Sequence, residues 1–119
     1  MRWYAAHVIM VTKFKDGTQD KFPIWENVIL VKANSPDEAR EKAVKRARED
    51  EGDSSGSYMY EGRPATWVFS GIRKLIECQD AENLPGDGTE ITYSVFEAED
   101  EEILLKLVNG QSVRITYEE

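Results

Sequence analysis

The sequence predicts an α+β fold in which two helices pack on a mainly antiparallel sheet of about five to six strands. Runs rich in β-branched and aromatic residues recur along the chain, and turn residues separate them. Two further segments carry helix-start signals followed by apolar residues at helical spacing. The expected order of elements is therefore β-β-α-β-β-β-α-β.

The first two strands are predicted at residues 3–14 and 22–33, with Asp16-Gly17 as the hairpin turn between them. Apolar side chains occupy successive positions in both runs, so both faces of each strand are apolar. This pattern is typical of central strands that are covered on two sides. We therefore expect a layer of structure on each face of this hairpin.

A helix is predicted to begin at Ser35, because Pro36 suits its first turn and Glu38 completes a capping box. It is expected to end near Glu51-Gly52. Small side chains form much of its apolar stripe and allow a close approach to the sheet. The stripe consists of Ala39, Ala43, Val44 and Ala47.

The middle of the chain predicts a second hairpin, with a short strand at 58–60, a turn at 61–64 and a long strand at 65–78. Gly71 interrupts the alternation of the long strand, which predicts a β-bulge or a bend. A further strand is predicted at 90–96, where apolar and polar residues alternate.

The C-terminal part predicts a second helix and a last strand. Carboxylates crowd residues 99–102, where the dipole of a helix N-terminus favours negative charge, and Asn109-Gly110 is a stop signal. The last strand is predicted at 113–117. The stripe that this helix is expected to bury consists of Ile103, Leu104, Leu107 and Val108.

A chain of 119 residues fits one domain, 1–119, in which the polar segments 51–57 and 79–88 are expected to be flexible loops. Cys78 is the only cysteine, and the first residues lack the features of a secretory signal. No apolar run has the length of a membrane span. We therefore expect a cytoplasmic protein.

Negative charge is concentrated in the last third of the chain. Residues 1–76 carry 13 Lys and Arg against 11 Asp and Glu, whereas residues 77–119 carry 2 against 12. Such a field repels nucleic acids and anionic membranes and favours basic protein partners. A surface that only keeps the protein soluble is the simpler interpretation, and a basic partner is the more specific one. The candidate binding carboxylates are Glu97, Glu99 and Glu101.

His7 is the only histidine, and its pairing depends on the hairpin turn. With a two-residue turn, His7 faces Glu26, and such a pair can act as a base with its orienting partner. With a three-residue loop that contains a bulge, His7 faces Trp25, and Glu26 lies on the opposite face. A histidine that is satisfied by hydrogen bonds within a sheet is the simpler interpretation.

No other catalytic or cofactor motif is present. The sequence lacks a nucleophile elbow, a phosphate-binding glycine loop, a dinucleotide-binding motif and a zinc-binding helix motif. The acidic run 97–102 lacks the spacing of a calcium loop. Glu77 and Asp80 lie close to Cys78 in sequence and disfavour a reactive thiolate. We therefore expect no metal site and no cofactor, with His7 and Glu26 as the catalytic candidates.

Several short motifs follow one another in order: Trp3-Tyr4-Ala5-Ala6, Trp25-Glu26 followed by Val28 to Val31, the helix after Ser35-Pro36, Gly62 with Trp67, Gly71 to Leu75, and Gly88-Thr89-Glu90. In this order they resemble a small bacterial family of domains of unknown function, with a W-Y-x-A opening strand and a W-E second strand. The resemblance covers residues 2–96. It implies a bacterial origin and one compact domain, and it brings no activity and no catalytic residue with it.

The sequence therefore favours a non-enzymatic interaction or regulatory module that binds another protein, a basic one in particular, or its own copy. One version is an acidic inhibitor or immunity protein that blocks a basic toxin. The alternative is a small ligand-sensing domain or enzyme with a pocket at the strand ends, around Trp25, Glu26, His7 and Arg63. Trp25 also suits an aromatic anchor at an interface. No nucleic-acid or membrane partner is expected.

Overall fold

In the computed structural model, which describes residues 1–118, the chain forms six strands and two helices. Both the α+β class and the order β-β-α-β-β-β-α-β confirm the prediction. The elements are β1 (Arg2–Phe14), β2 (Ile24–Ala33), α1 (Pro36–Glu49), β3 (Met59–Tyr60), β4 (Arg63–Glu77), β5 (Val95–Glu97), α2 (Glu101–Val108) and β6 (Thr116–Glu118).

The strands form two antiparallel sheets. The larger sheet has four strands in the order β2-β1-β4-β3, and β5 pairs with β6 in the smaller one. Two hairpins, β1–β2 and β3–β4, supply the larger sheet, and the pairing of β1 with β4 joins them. β1 therefore lies in the interior of this sheet, whereas β2 forms one edge.

The connection in the first hairpin is longer than predicted. The loop 15–23 replaces the expected tight turn. The predicted pairing of His7 with Glu26, and the alternative pairing with Trp25, are both wrong, because His7 lies opposite Val28. The prediction of a tight turn rested on two adjacent residues, Asp16 and Gly17. In the structure, Arg63 of β4 holds the longer loop through hydrogen bonds to its main chain.

β1 and β2 differ sharply in burial. β1 is buried on both faces over most of its length, as predicted for a central strand. β2 lies at the edge of the sheet, and Ala33 is its only buried residue. The prediction that β2 is covered on two sides is therefore wrong. The fold leaves most of an apolar strand exposed.

α1 covers one face of the larger sheet. Ser35 caps it through Oγ, which accepts the N–H of Glu38 at 3.1 Å, and Pro36 occupies the first turn. The predicted small residues of the helix are buried against the sheet. The core beneath the helix consists of Ala6, Val8, Met10, Ala43 and Ala47.

The pairing of β4 with β1 is irregular beside Gly71. Two register shifts leave Ser70 and Arg73 of β4 without partners on β1. Gly71 itself pairs with Ile9, so the predicted bulge or bend is confirmed as two bulges that flank Gly71. A bulge changes the direction of nearby side chains, and Arg73 is turned so that it reaches across β1 toward β2.

The C-terminal region departs further from the prediction. Residues 90–94 form no strand, so only the end of the strand expected there exists, as β5. The last strand is confined to β6. α2 forms with Asp100 as its cap, but its apolar stripe is not buried: Leu104 and Val108 are 49% and 72% exposed.

The missing burial has a structural reason, since α2 makes no extensive contact with α1 or with the strands. The radius of gyration is 17.2 Å, above the roughly 13–14 Å of a compact domain of this length. The segment β5–α2–β6 touches the larger sheet through Tyr117, whose ring centre lies 4.0 Å from Cζ of Arg73. Within residues 1–118, no helix is long and apolar enough to cross a membrane.

Candidate functional site

Trp25 and Glu26 point to opposite faces of β2, as the alternation of side chains along a strand requires. Trp25 lies on the face that α1 covers and contacts the ring of Trp67 there. Glu26 lies on the other face, together with His7. Trp25, Glu26 and His7, three of the four residues of the predicted pocket, therefore do not converge on one site.

Glu26 binds Arg73 across the central strand. Its Oε1 contacts Nε of Arg73 in an ion pair that links β2 to β4 above β1. The hydrogen bond from the guanidinium holds the pKa of the Glu26 carboxyl below its ordinary value. The same oxygen lies 3.3 Å from Nδ1 of His7. One carboxylate thus contacts two basic side chains.

His7 is almost completely enclosed, with 2% of its surface exposed. Its Nε2 lies 2.5 Å from Oγ1 of Thr92, whereas Nδ1 has no aligned hydrogen bond within residues 1–118 despite the nearby Glu26. Burial is the main reason that the pKa of His7 is below its ordinary value of 6.5; Glu26 raises this pKa, and Lys74 and Arg73 lower it. The imidazole is therefore neutral at pH 7.

A neutral imidazole beside a carboxylate has the components of a general base, but His7 is enclosed and both groups already have partners. Thr92 covers Nε2 of His7, and Arg73 occupies Oε1 of Glu26. Next to them, Nζ of Lys74 donates to the main-chain oxygen of Tyr93. The contacts of His7 and Lys74 hold the segment 90–94 against the sheet, and a substrate would have to displace it.

The aromatic cluster on the face of α1 explains the position of Trp25. The ring centre of Trp25 lies 4.8 Å from that of Trp67 and 5.9 Å from that of Tyr60, both in edge-to-face geometry. At the other end of the cluster, the ring centre of Tyr58 lies 6.5 Å from that of Trp67. Trp25 thus packs β2 against β3 and β4.

Arg63 is engaged with the loop of the first hairpin. Its guanidinium donates to the main-chain oxygens of Asp16 and Thr18 at 2.5 and 3.2 Å. Its Cζ lies 3.8 Å from the ring centre of Phe14. Arg63 therefore holds the loop 15–23, which a local reading of the sequence could not show.

Three surface cavities are lined by neither His7 nor Glu26. One of about 200 Å³ lies beside Thr92, one of about 280 Å³ beside Arg63 and one of about 400 Å³ beside Trp67. Of the residues predicted for the pocket, Arg63 alone lines one of these three cavities. The cavities therefore do not form a site around the His7–Glu26 pair.

The candidate carboxylates Glu97, Glu99 and Glu101 are exposed at the end of β5 and the start of α2. None of the three forms an ion pair within the described residues, whose ion pairs all involve other carboxylates. Apolar side chains of α2 are exposed next to them: Leu104, Leu105 and Val108.

The outer edge of β2 is open. The main-chain oxygen of Pro23 accepts the N–H of Thr12 at 3.0 Å, so the odd-numbered residues of β2 direct their main-chain groups to β1 and the even-numbered ones direct theirs outward. The even-numbered residues also carry side chains on the face opposite α1. We call this set the β2 edge: Ile24, Glu26, Val28, Leu30 and Lys32.

Residues 3–94 match the family model described as a domain of unknown function, DUF4288. The chain belongs to the DUF4288 family. This confirms the resemblance to a family of domains of unknown function. The matched residues contain the larger sheet and α1, whereas β5, α2 and β6 lie beyond them. No curated protein and no solved structure matches the chain.

The sequence did not predict three of the residues that surround His7: Arg73, Lys74 and Thr92. All three lie within the residues that match the DUF4288 model. The interruption at Gly71 predicted the bulge but not the side chain that it turns. Thr92 lies in a segment predicted as a strand, and no local pattern shows that this segment folds over β1.

Neither the metal-ligating side chains nor the cysteine of the described chain indicates a further site. Within residues 1–118, no group of three or more His, Cys, Asp and Glu side chains is placed to hold a metal ion. Cys78 is buried, and burial raises the pKa of its thiol.

Proposed function

We propose that this DUF4288 protein is a non-enzymatic, cytoplasmic interaction module that binds a protein partner through the β2 edge. One observation carries the proposal. A ten-residue edge strand combines outward main-chain groups with exposed apolar side chains, since Ile24, Val28 and Leu30 are 62%, 41% and 38% exposed. Both features are suited to pairing with a strand of another chain.

Most edge strands are protected from such pairing by charged residues, prolines or bulges. The β2 edge has charged residues toward its two ends, Glu26 and Lys32, and two apolar residues between them, Val28 and Leu30. No bulge interrupts the pairing of β2 with β1. The centre of the edge therefore lacks protection, and its main-chain groups can supply affinity while its side chains supply specificity.

The His7–Glu26 pair gives less support to a catalytic role. His7 is enclosed and contacts Thr92, and Glu26 binds Arg73. A general base must reach the proton that it abstracts, within about 3 Å or through one water. His7 instead joins the sheet, through Thr92, to the segment 90–94 that covers it.

Affinity capture from cells that naturally produce the protein tests this function. The unsubstituted chain is compared with Leu30→Lys, on the β2 edge, and with Leu105→Lys, an equally drastic change at an exposed leucine of α2. We expect one protein to be captured in stoichiometric amount by the unsubstituted chain and by Leu105→Lys, and to be lost with Leu30→Lys. Thermal unfolding verifies that both variants fold.

Capture that survives Leu30→Lys would overturn the role of the β2 edge. Loss with both lysine variants would also count against it, because α2 lies outside the proposed surface. The captured protein can be a second copy of the chain or another protein, and mass spectrometry of a tagged against an untagged copy separates the two.

A second candidate is an acidic inhibitor or immunity protein that blocks a basic protein, such as a toxin. Its support is the unpaired and exposed set Glu97, Glu99 and Glu101 beside the exposed leucines of α2. Binding of this kind weakens with salt and with reversal of the three charges, because exposed charges are screened within a Debye length of about 10 Å at 0.1 M salt. Binding that does not depend on salt would argue against it.

A further inference from the structure

The β2 edge has a sequence that is complementary to itself. Its negative and positive side chains, Glu26 and Lys32, stand on either side of the apolar residues Val28 and Leu30, all on one face. A second copy that runs antiparallel presents the same residues in reverse order. Opposite charges then face each other, and apolar side chains face apolar ones.

Main-chain geometry limits how two copies of β2 can pair. In an antiparallel ladder, only residues whose N–H and C=O groups point outward exchange hydrogen bonds. On β2 these are the even-numbered residues, so even-numbered residues must face even-numbered residues of the second copy. The central registers that satisfy this rule place Val28, Ile29 or Leu30 on the two-fold axis.

The register with Ile29 on the axis is the complementary one. It places Val28 opposite the partner's Leu30 and Glu26 opposite the partner's Lys32. Symmetry repeats each pair, so the junction contains two apolar contacts between two ion pairs. Directly opposed side chains of these types stabilise a sheet.

The two neighbouring registers place charges against apolar side chains. With Val28 on the axis, Glu26 faces the partner's Leu30 and Ile24 faces the partner's Lys32. With Leu30 on the axis, Val28 faces the partner's Lys32 and Glu26 faces the partner's Asn34. The side chains therefore favour the register with Ile29 on the axis.

The charged groups are available for this pairing. The hydrogen bond and both ion pairs of Glu26 are formed by Oε1, and Oε2 accepts no hydrogen bond within residues 1–118. Lys32 forms no ion pair there, and its Nζ lies 5.6 Å from the ring centre of Trp3. Nζ of Lys42 lies 2.5 Å from the main-chain oxygen of Lys32, but a carbonyl oxygen has two lone pairs and can also accept an N–H of the partner.

From this complementarity we infer that the β2 edge pairs with the β2 edge of a second copy of the chain, with Ile29 on the two-fold axis. The two four-stranded sheets then form one continuous sheet. The inference rests on the proposed function, because it names the partner of the same edge. Pairing covers the exposed side chains of Val28 and Leu30 in both copies.

Single-cysteine variants test the register. In a Cys78→Ala background, which removes the native thiol, one cysteine is introduced by Val28→Cys, Ile29→Cys or Leu30→Cys. A cysteine on the axis faces its own copy in the partner, so mild oxidation forms an intermolecular disulfide for one register at a time. We expect Ile29→Cys to form a disulfide-linked dimer and the other two to remain largely unlinked.

A linked dimer of Val28→Cys or of Leu30→Cys, with none for Ile29→Cys, would overturn the inferred register. Ile29 also packs beside the core, and its variant can lose stability. Hydrogen exchange on the unsubstituted protein therefore provides a second measurement. The outward amides of Glu26, Val28 and Leu30 should exchange about tenfold more slowly as protein concentration rises, whereas the amide of Glu101, in the first turn of α2, should not change.

Light scattering after size-exclusion chromatography distinguishes this inference from the proposed function. A mass of two copies is expected for the unsubstituted protein and a mass of one copy for Leu30→Lys. A single-copy mass at every concentration, with no change in exchange, would overturn self-pairing. If affinity capture still shows a different protein that depends on Leu30, the proposed function stands while this inference fails; if it shows none, both fail.

Discussion

Nδ1 of His7 lies 3.3 Å from Oε1 of Glu26, although the two residues are not opposite each other in the sheet. His7 is paired with Val28 and Glu26 with Ile9, so their contact is diagonal across the hairpin. A shift of the register by two residues moves the pairing but keeps both side chains on one face. Arg73 then reaches the same oxygen from β4, which joins three strands in one charged contact.

The pKa of His7 predicts that acid destabilises the fold. In the folded protein, burial lowers this pKa below 6.5, whereas the unfolded chain keeps the ordinary value. The unfolded state therefore binds more protons between the two pKa values. The contribution of His7 to the free energy of unfolding is fully present above pH 6.5 and is lost as the pH falls toward the folded-state pKa. Urea unfolding at a series of pH values measures this loss.

His7→Gln is the control for that prediction, because it removes the titrating group and should flatten the pH dependence in this window. Glu26 does not interfere, since its pKa lies below 4.5 and its contribution is lost only at lower pH. Lys74 and Arg73 are the positive groups that face His7 from β4. The hydrogen bond to Glu26 raises the pKa of Arg73 further above its ordinary value, so Arg73 keeps its charge throughout the window. A stability that rises on acidification would contradict the burial of a neutral His7.

Glu26→Gln is expected to lower the free energy of unfolding by about 1 kcal/mol. The substitution removes the charged partner of Arg73, and hydrogen bonds to charged groups contribute about 1.5–3 kcal/mol. Because the Glu26 side chain is 34% exposed, solvent screening reduces that figure. Urea unfolding at pH 7 gives the value.

Two comparisons make the Glu26 result specific. Glu97→Gln, at an exposed carboxylate without an ion pair in the described chain, should change stability by less than about 0.5 kcal/mol. Arg73→Gln should cost less in the Glu26→Gln background than alone, because the two side chains share one interaction. Equal costs in both backgrounds would mean that the ion pair contributes nothing.

The elements that the sequence predicted correctly depend on local chemistry. Ser35 and Pro36 determine the start of α1 through contacts within its first turn. The small side chains of the helix determine which side approaches the sheet, and Gly71 marks the bulge in β4. Each of these features depends on residues within a few positions of one another, so a single segment is sufficient to reveal it.

The features that escaped prediction depend on distant contacts. The loop 15–23 is held by Arg63 of β4, which no pattern near the loop can show. Apolar residues on both faces of β2 predicted a covered strand, and in the folded chain β2 lies at an edge. Such a pattern is also expected of a strand covered by a partner. Likewise, the apolar stripe of α2 predicts an amphipathic helix. It does not show whether the stripe packs against the rest of the same chain.

The close packing of α1 predicts that a larger side chain at its centre is destabilising. Ala43 is fully buried between the helix and β1. Ala43→Leu forces the helix away from the sheet, and overpacking of this kind costs about 1–3 kcal/mol. Glu41→Leu introduces the same side chain at an exposed position of α1 and should have little effect on stability. Similar losses in the two variants would show that Ala43 has no special packing role.

Trp25→Ala tests whether Trp25 stabilises the fold or serves an interface. Full truncation of a buried tryptophan costs about 3–5 kcal/mol; because Trp25 is 37% exposed, we expect a loss of roughly half that. The loss comes from its edge-to-face contacts with Trp67 and Tyr60. Phe22→Ala, at a 61% exposed aromatic residue, is the matched control and should change little. Chemical unfolding is followed by circular dichroism, because the substitution itself changes the tryptophan fluorescence of the protein. If Trp25→Ala were as mild as Phe22→Ala, the ring would contribute little to the fold, which would favour a role for Trp25 at an interface.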